Sequence, residues 1–361
     1  MTSPTDTLIV PGSAPGRAAL EDRIHGSLAM AVIGDALGAP TEQRSIDQIR
    51  ARFGGRVERF HAPPQDSPFA KGRAAGQFTD DSSQMILLAE ALVAGGGTIT
   101  ARAVADMLIE WSGKPEYFPH FAGPSTRRAI AALKGGADPE LVGAQGVETT
   151  EGASNGGSMR VAPAGLVWPG DPAAAVEEAA TTCRPSHFTS VGVSAAAAVA
   201  GAVSVALCDG VTIIDVVRAA VWSAERGAAI GATRGREVAG PSVARRIELA
   251  AEIGASASSL DVATRRIADV IGAGLPAAEA VPAAIGLFVA AGGDPWWTVV
   301  AGANVGDDTD TVACMAGSIA GALHGIAGVP RDRYAEVQVA NGVDLADLAR
   351  RLTVVAHLPV G

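Results

Sequence analysis

Apolar residues recur at three- and four-residue spacing along almost the whole chain, and no stretch sustains apolar/polar alternation between hairpin turns. The first period belongs to helices with one buried face and the second to half-buried strands, so the chain is constrained to an all-α fold. Residues 82–94 are representative: Met85, Leu88, Ala89 and Leu92 share a face, and Gly95-Gly96-Gly97 stops the run. Similar patterns predict helices over 20–37, 100–112, 125–134, 172–182, 212–224, 241–253, 260–271, 276–291, 310–324 and 345–356. Asp171-Pro172, Gly240-Pro241 and Leu275-Pro276 put proline in the first turn of three of them. The longest apolar run, 194–208, is shorter than the ~20 residues that span a bilayer and is dominated by Ala. It predicts a helix buried at the centre of the fold, not a membrane span.

What fills such a core follows from composition. Hydrophobic residues make up 48% of the 361 but aromatic residues only 4%, so Ala and Gly do much of the packing and helices must approach closely. Trp296-Trp297 is expected in that core. The Gly/Pro-rich breaks at 61–76 and 143–157 are too short for interdomain linkers, and each leads into a candidate motif. The organisation read from this is a flexible tail over 1–18, without the basic start and hydrophobic region of a signal peptide, and one compact helical domain over 19–361. Cys183, Cys208 and Cys314 form no CxxC pair and leave an odd thiol, which argues against disulfides or structural zinc and fits a cytoplasmic location. A net charge of −10 with no Lys/Arg run lacks the footprint that neutralises phosphate backbones, which excludes nonspecific nucleic-acid binding.

Two junctions where loops become helices concentrate the acids. Thr79-Asp80-Asp81-Ser82 has the residues that cap a helix start, and alone it reads as a cap. Asp307-Asp308-Thr309-Asp310-Thr311 places three acids within four residues, more than one cap requires. If its backbone is extended, the period of two turns Asp308 and Asp310 to one side and Asp307 away. Carboxylates and Thr hydroxyls from two loops suit Mg²⁺, which takes oxygen ligands, and the lack of nearby His or Cys argues against zinc. Upstream, Asp35 lies in an apolar stretch and is expected to hydrogen-bond to a neighbouring loop, while Glu42 projects from the loop after Gly38. The segment Ser154-Asn155-Gly156-Gly157-Ser158-Met159-Arg160 offers successive backbone N–H groups to an anion just before a helix. His187, before the central apolar helix, reads as a buried hydrogen-bonding group.

In this order GDALGAPTE (34–42), FTDDS (78–82), GPSTRRAIAAL (123–133), SNGGSMRVAP (154–163), SHF (186–188) and GDDTDT (306–311) resemble the ADP-ribosylglycohydrolase family, over about residues 23–328. The resemblance implies a compact orthogonal helical bundle holding two Mg²⁺ ions, with Mn²⁺ as a possible substitute, ligated by Thr79, Asp80, Asp81, Asp308, Asp310 and Thr311. It further implies that Glu42 sits on a flap and that Asn155, Gly156, Gly157, Ser158 and Met159 hold a diphosphate. His187 is placed near the ribose or phosphates, with Ser125, Asn304 and Gly306 also on the substrate. The implied reaction is hydrolysis at C1′ of an ADP-ribosyl conjugate, on an ADP-ribosylated protein or a small ADP-ribosyl or ribosyl substrate, with Glu42, Asp80 and Asp308 as the catalytic acids.

Two departures bear on the substrate. Phe121 stands where several members carry a substrate-facing Asp, which argues against ADP-ribosyl-arginine. Residues 151–154 also lack the aromatic that some members stack on adenine. The alternatives are a nucleosidase or other ribosyl hydrolase acting on a small metabolite, and a non-catalytic, crystallin-like member. The leaving group and the oligomeric state stay open.

Overall fold

A computed structural model describes Leu8, Val10, Gly12, Ser13 and residues 15–358. Much of the expected tail at 1–18 therefore lies outside the described residues. The Ser13 carbonyl accepts from the Asp209 amide at 3.0 Å, and the first helix already begins at Arg17. Among the described residues regular structure is entirely helical, with isolated bridges in place of strands. None of the helices is long and apolar enough to cross a membrane.

Every helix predicted from periodicity is present, with boundaries shifted by a few residues and one, Ile213–Arg234, running ten residues beyond its expected end. Of the three prolines expected in first turns, Pro172 is there behind the Asp171 cap. The second helix starts at Val243 behind a Ser242 cap, beyond Pro241, because the Ser242 hydroxyl can bond the Arg245 amide whereas Gly240 has no side chain to offer. Pro276 is itself the cap residue of Ala277–Ala290. Helices Ile46–Phe53, Ala162–Leu166, Pro295–Gly302 and Arg331–Asn341 escaped the periodicity argument because they are short or, in the last case, bury only Val337.

The Ala-rich run forms Ser190–Ala206 and is buried from Val191 to Ala206, as its composition predicted. Of Trp296-Trp297, only Trp296 packs against the core. Trp297 is 38% exposed with the Arg56 guanidinium 4.9 Å from its ring centroid, and Trp296 is half-buried under Arg333. They lie in the first turn of the short surface helix Pro295–Gly302, whose inner face is made by smaller residues such as Val299 and Val300.

One helix pair positions everything that follows. Arg17–Gly38 and Thr309–His324 pack antiparallel, with Gly26 against Gly321, Met30 against Gly317, Gly34 against Ala313 and Gly38 against Asp310. The four-residue step along the first helix, met by steps of four, four and three along the second, is the spacing of one packing ridge. A Cβ on Gly34 would stand 2.3 Å from the Ala313 carbonyl oxygen, and one on Gly38 2.5 Å from the Asp310 Cα. Only glycine allows that approach, and it brings Asp35 of the first helix beside Asp310 of the second.

Candidate metal centre

Most helices of this chain that begin with Ser, Thr or Asp use the side chain as a cap, as Thr100, Asp171, Thr189, Ser242, Ser259 and Asp294 do. The two acidic starts differ. Thr79 precedes Asp80–Ala94 and Asp308 precedes Thr309–His324, and neither side chain caps its helix. Their oxygens, and those of the acids that follow, are left for something else.

That function is shared across the helix pair. Carboxylate oxygens of Asp35, Asp81 and Asp310 lie within 4.8 Å of one another, as do those of Glu42, Asp308 and Asp310, so Asp310 belongs to both groups. All are buried. Asp35 accepts from the Thr79 amide (2.8 Å), the Thr79 hydroxyl (2.8 Å) and the Ser82 amide (2.9 Å). It thereby ties the first helix to the acidic loop at 79–82, as its place in an apolar stretch predicted, and it also joins the carboxylate cluster, which the sequence reading missed. Asp308 is fixed by the Asn155 amide at 2.6 Å.

The acidic loop at 306–311 is not extended. Asp307 has φ 61° and Asp308 and Asp310 converge through the first turn of a helix, not by strand alternation. Asp307 is exposed, and it clasps the Glu42 loop: its carbonyl accepts from the Gln43 amide (2.7 Å) and its amide donates to the Arg44 carbonyl (3.0 Å). Gln43 is likewise left-handed, at φ 59°. This paired, costly backbone holds Glu42 over the other acids.

Oxygens Oδ1 of Asp81, Oδ1 of Asp310 and Oε2 of Glu42 are buried without a hydrogen-bond partner among the described residues. Burial, and then mutual repulsion, pushes Glu42, Asp80, Asp81 and Asp310 well above the ordinary carboxylate range. Burial also raises Asp35 and Asp308, against the hydrogen bonds they accept. Such a cluster of unsatisfied hard oxygen donors without His or Cys fits divalent cations that prefer oxygen. Buried acidic groups here can hold a metal ion.

Each of these folded-state pKa values is raised, so in metal-free protein the ionised cluster costs stability as pH climbs from the unfolded carboxylate range through the folded values. A cation that needs the ionised form competes with those protons. The rise in melting temperature on adding a divalent cation is expected to be large at about pH 8 and to shrink at about pH 5.5. Differential scanning fluorimetry with and without chelator reads it, and a cation-induced shift that grows toward acid pH would refute the cluster as the binding site.

Above the acids lies a cleft of about 560 Å³. Glu42, Asp80, Asp308, Asp310 and Thr311 line it, facing Asn155, Gly156 and Met159 of the Gly-rich loop, with Phe121 and Thr126 on a third side. Other expected residues lie behind this lining. Ser125 accepts from the Gly152 amide (3.0 Å), bracing the loop, and Gly157 packs against Cys183 and His187. Thr79, Asp81 and Ser158 are buried, Ser158 Oγ without a partner. Gly306 turns with φ 90° beneath Arg44 and Ser45. Asn304 spends its side chain on the Val57 amide and carbonyl and the Val300 carbonyl, away from the cleft.

His187 is buried and pushed down to about 3 by its surroundings, so it is neutral, with Nδ1 bonded to Ser186 Oγ (2.9 Å) and Nε2 to Ser154 Oγ (2.9 Å). It supports the loop at Ser154, a cleft-lining residue. Next to it the sequence reading missed Arg160, the largest charged side chain that is fully buried. It donates to Gln84 Oε1 (2.9 Å), the Gly156 carbonyl (2.6 Å) and Ser186 Oγ (2.7 Å), and Gln84 in turn approaches Asp80 at 3.4 Å. Arg160 thus joins the acidic floor to the Gly-rich wall.

Fold and site together define an all-helical protein with a buried carboxylate cluster that can hold a metal ion, beneath a ligand-sized cleft. A family model described as ADP-ribosylglycohydrolase matches residues 16–359. The chain belongs to the ADP-ribosylglycohydrolase family, a membership that supports hydrolase activity. It is 31% identical over 336 residues to the uncharacterized protein YegU of Escherichia coli (strain K12), covering 92% of this chain and 96% of that one. A 63-residue stretch is 48% identical to the ADP-ribosylhydrolase ARH3 of Danio rerio, covering 17% of this chain and 16% of that protein. A solved structure titled ADP-ribosylglycohydrolase-related protein complex shares the fold, with a TM-score of 0.69 at 22% identity over 94% of this chain and all of that one.

Proposed function

We propose that this chain is a Mg²⁺-dependent hydrolase, with Mn²⁺ as a substitute, that cleaves the C1′ glycosidic bond of ADP-ribosyl conjugates. The observation that carries the reading is the pair of buried carboxylate triads sharing Asp310 at the floor of a cleft, with Asn155 of the Gly-rich loop bonded directly to Asp308.

Cations held by Asp35, Asp81, Asp310, Asp308 and Glu42, with Thr79 and Thr311 beside them, would supply charge neutralisation and Lewis acidity toward ribose hydroxyls and water. The chain's own residues do the rest. Asp80 and Asp308 line the cleft with raised pKa values, which suits a carboxyl group that must take a proton from an attacking water near neutral pH. The surrounding carboxylates stabilise the oxocarbenium-like charge that develops at C1′ as its bond to the leaving group breaks. Asn155 keeps Asp308 turned toward the cleft, and the neutral His187 and Arg160 hold the loop that would receive the diphosphate.

The test is a side-by-side screen, with Mg²⁺, of ADP-ribosyl-serine, ADP-ribosyl-arginine and nucleosides. Release of ADP-ribose from a conjugate is expected. Release of ribose from nucleosides alone would favour a small-metabolite ribosyl hydrolase, a reading that Phe121 on the cleft wall keeps in play. Isothermal titration showing no ADP-ribose binding with Mg²⁺ present would overturn the proposal.

A further inference from the structure

The acidic cleft has a neighbour of opposite character. A groove of about 350 Å³ lies against it, and Phe69 and Phe121 form part of the walls of both. Lys71 and Arg73 line it together with Tyr117 and His120, and Glu116 is its one acid. Asn341 closes it and also accepts from the Phe78 amide at 3.1 Å, so the groove is anchored to the residue just before Thr79.

In a chain with 38 acidic residues and 28 Lys and Arg, most arginines find a carboxylate; these two cations do not. Among the described residues no acid lies within ion-pair distance of Lys71 or Arg73. Arg73 donates to the Glu116 carbonyl at 3.3 Å, and its guanidinium sits 5.0 Å from the Tyr117 ring centroid and 5.6 Å from that of Phe121. Its Nε is buried and has no partner. An arginine laid against two aromatic rings is held in place, with its Nε unspent, beside a cleft whose own residues repel anions.

We infer that this groove is the leaving-group subsite, and that it takes a leaving group carrying an anionic group, a carboxylate or phosphate, on a flat or aromatic frame. The inference rests on the hydrolase reading above and deepens it. With the ribosyl group over the acids, the substituent at C1′ must leave the cleft past its walls, and the Phe69 and Phe121 walls open onto Lys71 and Arg73. Phe121 gives that passage an aromatic, uncharged surface that does not repel an anion. In the reaction, water oxygen bonds to C1′ as Asp80 or Asp308 takes its proton, the leaving group departs with the electron pair of the broken C1′ bond, and the anionic group it carries is met by the two cations.

The matched probes are nicotinic acid adenine dinucleotide and NAD⁺, which share the ADP-ribosyl group and differ only in a carboxylate against a carboxamide. Isothermal titration with Mg²⁺ present, with released base followed by chromatography, is expected to give the carboxylate compound about fivefold tighter binding, the upper end for a partly exposed charge pair. Arg73→Gln with Lys71→Gln should abolish the preference, and Arg73→Lys should restore part of it, with the thermal melt unchanged as the check on folding. Equal affinities in the wild type, or a preference that survives the double substitution, would overturn the subsite. Binding of ADP-ribose without either dinucleotide would overturn it too while leaving the hydrolase reading standing. Failure of ADP-ribose itself to bind would remove both.

Discussion

Asp310→Asn is expected to lower divalent-cation affinity by on the order of a hundredfold or more, since even residues that only orient metal ligands cost 10- to 100-fold when replaced. Asp310 is the one residue common to both carboxylate triads, so its loss damages two sites at once. The same substitution should stabilise the metal-free protein by roughly 1–2 kcal/mol, the usual return for relieving strain at a functional site. It removes a charge that is 2% exposed and repelled by Asp81, Asp308, Asp35 and Asp80. The asparagine keeps the shape and volume of the side chain, so the Gly38 contact against the Asp310 backbone is undisturbed. Cation titration by calorimetry and chemical unfolding in chelator check the two halves. Unchanged affinity, or a variant less stable than wild type without metal, would mean that the cluster is ordinary buried polarity.

The second large effect concerns Arg160. Its guanidinium is fully buried, bonded to Gln84, Gly156 and Ser186, and near Asp80, and burial pulls its pKa down to about 10, so it remains charged at neutral pH. Arg160→Met leaves the Gln84 and Gly156 oxygens unpartnered and the acids without their nearest buried cation. The expected cost is about 3–5 kcal/mol, as for removing one member of a buried charged network. Arg160→Lys keeps the charge, but an ammonium cannot reach three acceptors set out for a planar fork, so it should recover only part of the loss. Urea unfolding at fixed cation concentration measures both, and an Arg160→Met variant within about 1 kcal/mol of wild type would show that the network is not a strut.

Neither Asp310's double membership nor Arg160's role is legible along the chain. A motif shows that Asp308 and Asp310 are near each other, since one turn of helix joins them. Asp35 is 275 positions away and meets Asp310 only because Gly34 and Gly38 let two helices touch. Arg160 looked like the end of a Gly-rich loop, since nothing local distinguishes a solvated arginine from one enclosed by Gln84 and Ser186. Asn304 erred the other way: it sits two residues before the acidic motif, but its side chain bonds to Val57 and Val300 instead of the cleft.

What the sequence determined by itself was local: the helical period, the Ala-rich centre, the family motifs, and acids at two helix starts. Whether those acids cap their helices or stand free was a tertiary decision. A cap is satisfied by its own backbone three residues on, whereas Asp81, Asp310 and Glu42 hold buried, unpartnered oxygens because packing from distant helices crowds like charges faster than the chain supplies donors. That surplus of negative charge, which no single segment carries, is what enables the two acidic loops to hold a metal ion.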